Sequence, residues 1–268
     1  MTSALRPEAL EPLRANPGRS AILFDIDGTL APIVQNAADA HVPEGTRQLL
    51  IRVARRYALV ACVSGRQASD ARAMVAIGTI AYLGSHGAEI LRPGWTEAKL
   101  DEGLADWARR VHDFSSEADT AEVRRLRVRL EDKRVIAAFH WRGAPDEDAA
   151  KAAVDAIAAR AQDAGFRTHW GRKVLEVRPP VRIDKGAGIA ALLADTEIEM
   201  ALYVGDDVTD LDAFRMLDQL VQEGKLTRAV NVGVRSDEGP SEIASEADIV
   251  IDGTEGVQEL LTLLAADS

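Results

Sequence analysis

At 268 residues with 47% hydrophobic content, the chain has enough apolar material for one large or two modest cores, and charged residues at 28% argue against extended disorder. Its formal net charge of -11 argues against a nucleic-acid binder, whose affinity rests on neutralising phosphates, yet leaves room for one small phosphorylated ligand held by a metal and a few donors. A single cysteine, Cys62, forbids an internal disulfide, and neither the first twenty residues nor any later run has the apolar length of a leader or a membrane span. A cytoplasmic monomer with no membrane partner is expected, with Met1 to about Pro17 loosely ordered.

Along the chain, Ala21–Phe24 reads as a buried strand ending at Asp25. Glu44–Tyr57 carries Leu49, Leu50, Val53, Ala54 and Tyr57 at helical spacing, Ala58–Val63 is a second buried strand, and Gln67–Ile77 a helix stopped by Gly78. Ile80–Leu83 is a third apolar run, and strand–helix–strand in this order predicts a parallel sheet covered on both faces. From about Lys99 to Pro180 the grammar changes. A helix over Asp101–Phe114 is followed by an alternating strand, Leu126–Glu131, a turn at Asp132–Arg134 and a returning strand, Val135–Trp141. A helix opened by Pro145 and closed by Gly165 comes next, then strands at Phe166–Trp170 and Val174–Val177. The first rhythm then resumes with a helix (Gly186–Ala194), a strand (Met200–Val204), a helix (Thr209–Leu220), strands at Arg228–Val232 and Ile249–Ile251, and a closing helix at Glu255–Leu264. The expected fold is α/β: a Rossmann-like parallel sheet core, residues 1–98 and 181–268, with an α+β cap inserted over 99–180.

Ligands of open α/β sheets bind at the carboxyl ends of the strands. The first strand ends in Asp25-Ile26-Asp27-Gly28-Thr29, where carboxylates two apart in extended chain share a side. An isolated D-x-D-G is as readily a plain turn; a calcium loop fails because Leu30 and Asn36 occupy its glycine and glutamate positions. The second strand ends in Ser64-Gly65-Arg66, a hydroxyl and free N–H groups suited to a phosphate oxygen or merely a helix cap. The strand ending at Val204 runs into Gly205-Asp206-Asp207-Val208-Thr209-Asp210. There Asp207 or Thr209 suits a cap, and three carboxylates in five residues suit a hard cation, Mg²⁺ rather than zinc. Lys185, a surface residue on base rates, lies where the chain re-enters the core and an ammonium could offset a phosphate and Asp25. Arg124, Arg125, Arg127 and Arg129 lack the interleaved aromatics of an RNA surface.

These elements together resemble the haloacid dehalogenase-like phosphatases, and more specifically the trehalose-6-phosphate phosphatase family. The segments that carry the resemblance are Asp25–Ile33, Ser64-Gly65-Arg66, Gly84-Ser85-His86-Gly87, Glu131-Asp132-Lys133, His140-Trp141-Arg142, Lys173–Pro179 and Gly205–Asp210. Trp141 stands where the family usually has tyrosine, and Leu211 where it usually has an acidic residue. The resemblance implies Asp25 as nucleophile, Asp27 as general acid and base, Ser64 and Lys185 on the phosphoryl oxygens, and Mg²⁺ held by Asp25, the Asp27 carbonyl and Asp206. Asp207 and Asp210 would support the metal's water ligands. Arg66, Glu131, Lys133, His140, Arg142, Lys173 and Glu176 would contact substrate, a sugar phosphate. Alternation by itself puts Glu131 with Lys133 and His140 with Arg142 on shared faces, but puts Lys173 and Glu176 on opposite ones. A plain solvated antiparallel face fits the same residues, and His86 fits structural packing as well as substrate contact. Hydrolysis of trehalose 6-phosphate leads; a phosphatase for sucrose phosphate or a mannosyl phosphate, and a non-catalytic sugar-phosphate sensor, are the alternatives.

Overall fold

The computed structural model describes residues 7–34, 40–100, 102–181, 183–194, 196–236 and 239–266. The chain divides into two compact units, Met1–Lys99 with Ile183–Ser268, and Leu100–Arg182. In chain order the elements are α1 (Pro7–Ala15), β1 (Ser20–Phe24), α2 (Glu44–Arg56), β2 (Leu59–Val63), α3 (Ala68–Val75), β3 (Ala81–Gly84), β4 (Glu89–Leu91) and β5 (Lys99–Leu100). Then come α4 (Glu102–Ala118), α5 (Ala121–Arg125), β6 (Arg129–Asp132), β7 (Ala137–His140), α6 (Glu147–Asp163), β8 (Arg167–Gly171) and β9 (Val174–Arg178). The chain ends with α7 (Lys185–Leu193), β10 (Met200–Gly205), α8 (Leu211–Gln222), β11 (Arg228–Arg235), α9 (Ser241–Glu246), β12 (Ile249–Asp252) and α10 (Gly253–Ala265).

The first unit is built on an eight-stranded sheet in the order β12-β11-β10-β1-β2-β3-β4-β5. From β12 to β3 every pairing is parallel, and β4 turns back antiparallel to β3. Pleating sorts the side chains of β1: Ile22 and Phe24 enter the core shared with α1, α2 and α10, while Ala21 and Leu23 enter the one shared with α7 and α8. In β10, Leu202 and Val204 likewise face one way, Ala201 and Tyr203 the other. Two apolar faces explain why these strands read as unbroken apolar runs, each buried leucine, isoleucine, valine or phenylalanine contributing roughly 1.5–3 kcal/mol. Register completes the frame. Phe24 pairs with both Val204 and Cys62, so the segments after β1, β2 and β10 emerge at one level of the sheet.

The second unit is a four-stranded antiparallel sheet, β6-β7-β9-β8, backed by α4 and α6. Ala137, Phe139, Leu175 and Val177 on its inner face pack with Val111, Val154, Ile157 and Ala161. Glu131, Ala138, Glu176 and His169 stand in register on the other face.

The α/β expectation holds, with local corrections. Residues 1–6 of the segment expected to be loose lie outside the described residues, but Pro7–Ala15 is helical because Leu10 and Leu13 are fully buried in the core that contains Leu260 and Leu264. The strand expected from Leu126 starts at Arg129. Thr120 caps α5 through its side chain, and Arg127 takes a left-handed turn (φ 60°) that breaks the alternation. Asp101, the expected start of the cap helix, lies outside the described residues, and that helix runs on past Phe114 to Ala118. Strands β4 and β5 and helices α5 and α9 have no counterpart in the sequence reading; two to six residues carry too little periodicity. Among the described residues, no helix is long and apolar enough to cross a membrane.

Candidate active site

Asp25 leaves β1 with its N–H on the carbonyl of Val204 at 2.8 Å, which directs its side chain to the mouth of the parallel sheet. Two residues on, Gly28 (φ +91°) turns the chain beneath Asp206. A Cβ at Gly28 would lie 2.0 Å from Asp206 Oδ2, so any side chain there would strain the backbone and displace Asp206. Thr29, fully buried, donates its hydroxyl to Asp206 Oδ1 at 3.2 Å.

Lys185 opens α7, whose start is fixed by Asp184 accepting the N–H of Ala187 at 2.8 Å. Its Nζ donates to Asp25 Oδ1 and to Asp210 Oδ1, both at 2.6 Å. All three side chains are at most 7% exposed, so this is a dry ion-pair network and not a surface contact. Burial pushes the Lys185 amine down, but the carboxylates of Asp210 and Asp25 outweigh it and hold the ammonium above the ordinary range. Asp25 is raised, by burial first and by Asp210 and Asp206 next, against the lowering pull of Lys185.

Asp210 is fully buried, and both its oxygens are saturated. Oδ1 accepts from Lys185 and from the Tyr203 hydroxyl at 2.6 Å, and Oδ2 accepts the N–H groups of Asp206 and Asp207 at 2.9 Å each. Asp207 and Asp210 form a reciprocal capping box around the turn at Val208–Asp210, so Asp207 is the cap weighed above, and its own side chain is exposed. The solvated reading fails for its two companions, because Asp206 and Asp210 are buried. Burial and the neighbouring Asp210, offset by Thr29 and Lys185, push Asp206 up to about 7.

Oxygens of Asp25, Asp206 and Asp210 lie within 4.8 Å of one another, a group that could hold a metal ion. One ammonium balances one of three buried carboxylates, and a cation is the physical remedy for the rest. With Asp210 committed to its four donors, Asp25 and Asp206 are the carboxylates left to face one. A donor set made only of oxygen fits a hard cation.

Asp27 sits apart from this network. Its carboxylate is held bidentately by Arg66, Nε to Oδ2 at 2.8 Å and Nη2 to Oδ1 at 2.7 Å. Ser64, 1% exposed, accepts the Arg66 N–H on its hydroxyl at 3.1 Å, and its carbonyl accepts the His86 N–H at the same distance. His86 (φ 58°) packs so closely on Gly65 that a Cβ there would come 2.8 Å from its ring. His86 thus shapes the Ser64–Arg66 turn.

In the second unit, His140 Nε2 lies 2.9 Å from Glu131 Oε2, and Lys133 lies 3.7 Å from Glu131 and 3.8 Å from Glu176. Glu176 also accepts from Arg178 Nε at 3.0 Å. Burial raises its carboxyl, yet Arg178 and Lys133 together hold it below the ordinary range. These five side chains form one charged cluster. Lys173 does not join it; in a left-handed turn (φ 60°), it donates to both oxygens of Glu147 at 2.7 Å. Arg142 reaches the carbonyl of Arg172 at 3.4 Å. Trp141 is buried, its ring edge-on to Trp170 at 6.0 Å, and Leu211 is a core residue of α8. Sequence reasoning singled out neither Arg178, Thr29 nor Tyr203. Each acts through a partner that only folding supplies, though Thr29 left a trace inside the Asp25–Ile33 segment and Arg178 one inside Lys173–Pro179.

A family model described as trehalose-phosphatase matches residues 23–252. The chain is 34% identical over 210 residues to an uncharacterized glycosyl hydrolase of Mycobacterium tuberculosis, covering 73% of this chain and 15% of that one. It is 31% identical over 231 residues to probable trehalose-phosphate phosphatase D of Arabidopsis thaliana, covering 80% and 62%. It therefore spans less than two thirds of either relative. Among solved structures, the C-terminal domain of Candida albicans trehalose-6-phosphate phosphatase shares the fold, with a TM-score of 0.70 at 22% identity over 99% of both chains.

Proposed function

The chain belongs to the trehalose-phosphatase family, and from that premise we propose that it hydrolyses trehalose 6-phosphate to trehalose and phosphate through an aspartyl-phosphate on Asp25. The observation that carries this reading is the meeting of Asp25, Lys185 and Asp206 in one buried cluster, though they are far apart in the chain. An ester phosphate dianion repels a carboxylate nucleophile, so a site for this chemistry must concentrate positive charge where the phosphate enters. Asp25, Asp206 and the Asp27 carbonyl would hold Mg²⁺, which would supply most of that charge.

Asp25 attacks phosphorus in line with the sugar oxygen, forming an acyl phosphate as the bond to the sugar breaks. Lys185, with two of its three N–H groups on Asp25 and Asp210, offers the third to a phosphoryl oxygen, and Ser64 offers its hydroxyl to another. Asp27 gives its proton to the departing sugar oxygen, then takes one from the water that releases phosphate and restores Asp25. Both oxygens of Asp27 accept from Arg66, so Arg66 must first turn to the phosphate oxygens before the Asp27 carboxyl is free to meet the sugar oxygen. In the second unit, the cluster of Glu131, Lys133, His140, Glu176 and Arg178 reads sugar hydroxyls, since it gathers donors and acceptors that hold one another in place. Arg142 and Lys173 are assigned to substrate on the family resemblance alone. A reducing cytoplasm suits the buried thiol of Cys62.

Phosphate release from a panel of sugar phosphates, with and without Mg²⁺, tests the assignment. Trehalose 6-phosphate should be turned over best; marked preference for sucrose phosphate or a mannosyl phosphate rejects the substrate. Asp25→Asn should abolish turnover in a folded chain, and retained turnover rejects the mechanism.

A further inference from the structure

Tyr203 is fully buried on β10, its ring edge-on to Phe214 at 6.0 Å in the core shared with α7 and α8. Packing alone would be served by phenylalanine, which brings no hydroxyl to desolvate. Yet the Tyr203 hydroxyl is placed 2.6 Å from Asp210 Oδ1, the same oxygen that accepts Lys185 at 2.6 Å. Burial, with the carboxylates of Asp210 and Asp25, pushes its ionisation well above the ordinary range, so the phenol stays a donor.

We infer that Tyr203 is a positioning residue for catalysis: its hydroxyl fixes Asp210 Oδ1, and through it the place of the Lys185 ammonium against Asp25. The geometry divides the work. The two backbone N–H groups pin Oδ2, which leaves the carboxylate free to swing about that edge, and among the described residues the phenol is the only donor besides Lys185 itself placed on Oδ1. Without it Oδ1 follows the ammonium, when the site needs the ammonium to follow Oδ1. The phosphoryl group then meets a cation displaced by a fraction of an ångström, which lowers turnover more than binding.

This deepens the reading above and rests on it. The test compares Tyr203→Phe with Tyr82→Phe. Tyr82 is also fully buried and donates to the Ile77 carbonyl at 2.6 Å, but it lies in the core on the opposite face of the sheet. Each variant deletes one buried hydroxyl, so a purely structural effect should appear in both. With p-nitrophenyl phosphate and Mg²⁺, well below the unfolding midpoints, Tyr203→Phe should lower kcat about tenfold with KM within about twofold, and Tyr82→Phe should leave both unchanged. In a Lys185→Ala background, Tyr203→Phe should cause no additional loss, because there is no ammonium left to place. Wild-type kcat in Tyr203→Phe, an equal fall in Tyr82→Phe, or multiplying losses in the Lys185→Ala background would overturn the inference while the parent chain still turns over ester. A parent chain that releases no phosphate from any ester defeats the proposed function itself, and this inference with it.

Discussion

Without a cation in the acidic cluster, this fold should lose stability as pH rises towards neutrality. In the metal-free protein Asp206 is displaced from an ordinary 3.8 to about 7, mainly by burial and by Asp210. The folded state therefore binds a proton that the unfolded chain releases, and the stability tied to it is complete below about pH 4 and lost as pH rises towards about 7. Once Asp206 is ionised, the cost is roughly 4 kcal/mol at about 1.36 kcal/mol per pH unit. Asp25, raised in the same direction, adds to the trend. A bound cation would stabilise the carboxylate that the proton otherwise neutralises, so Mg²⁺ and protons should compete. Below about pH 7 the apparent affinity should fall by about tenfold per pH unit. Urea unfolding between about pH 5.5 and 8, in chelator and in millimolar Mg²⁺, measures both effects. Chelated wild type should lose stability towards the alkaline end, with Mg²⁺ stabilising most there; Asp206→Asn should flatten both dependences. Equal Mg²⁺ stabilisation at both ends of the range, or an Asp206→Asn variant with the wild-type pH slope, refutes the reasoning.

Other outcomes follow from single contacts. Gly28→Ala puts a Cβ onto Asp206 at a φ of +91°, so it should cost about 1–3 kcal/mol in urea unfolding and remove the response to Mg²⁺. An unchanged metal response would mean that Asp206 does not face the ion. Glu176→Gln should raise KM for trehalose 6-phosphate about tenfold or more while p-nitrophenyl phosphate, which has no sugar, is untouched; equal effects on both would show that the charged face does not read sugar. Phe139→Ala, in the fully buried core of the second unit, should cost about 3–5 kcal/mol, and a loss under about 1 kcal/mol would contradict the packing described.

What the sequence made legible is what periodicity and strand-end chemistry can carry. The apolar runs Ala21–Phe24 and Met200–Val204 are strands buried on both faces, and the polar residues that follow them meet because Phe24 and Val204 are in register. The alternation over Glu131 and Lys133 anticipated a common charged cluster, and the three-residue spacing of Lys173 and Glu176 anticipated their separation. What stayed hidden depends on partners distant in the chain or on isolated backbone angles. Nothing near Tyr203 announces Asp210 as its acceptor, and nothing in Asp27 announces that Arg66 clasps it. The left-handed residue Arg127 ended an alternation that looked continuous, and α1 is helical through burial of Leu10 and Leu13, which local propensity does not report.

The saturation of Asp210 sets how this loop can change over generations. Asparagine would turn an NH₂ towards an ammonium, a phenol or two amide protons, and glutamate would have to extend into space already crowded against Gly205, where even a Cβ would come 2.3 Å from Asp210 Cγ. Neither replacement keeps four donors satisfied, so descendants of this chain should hold aspartate there.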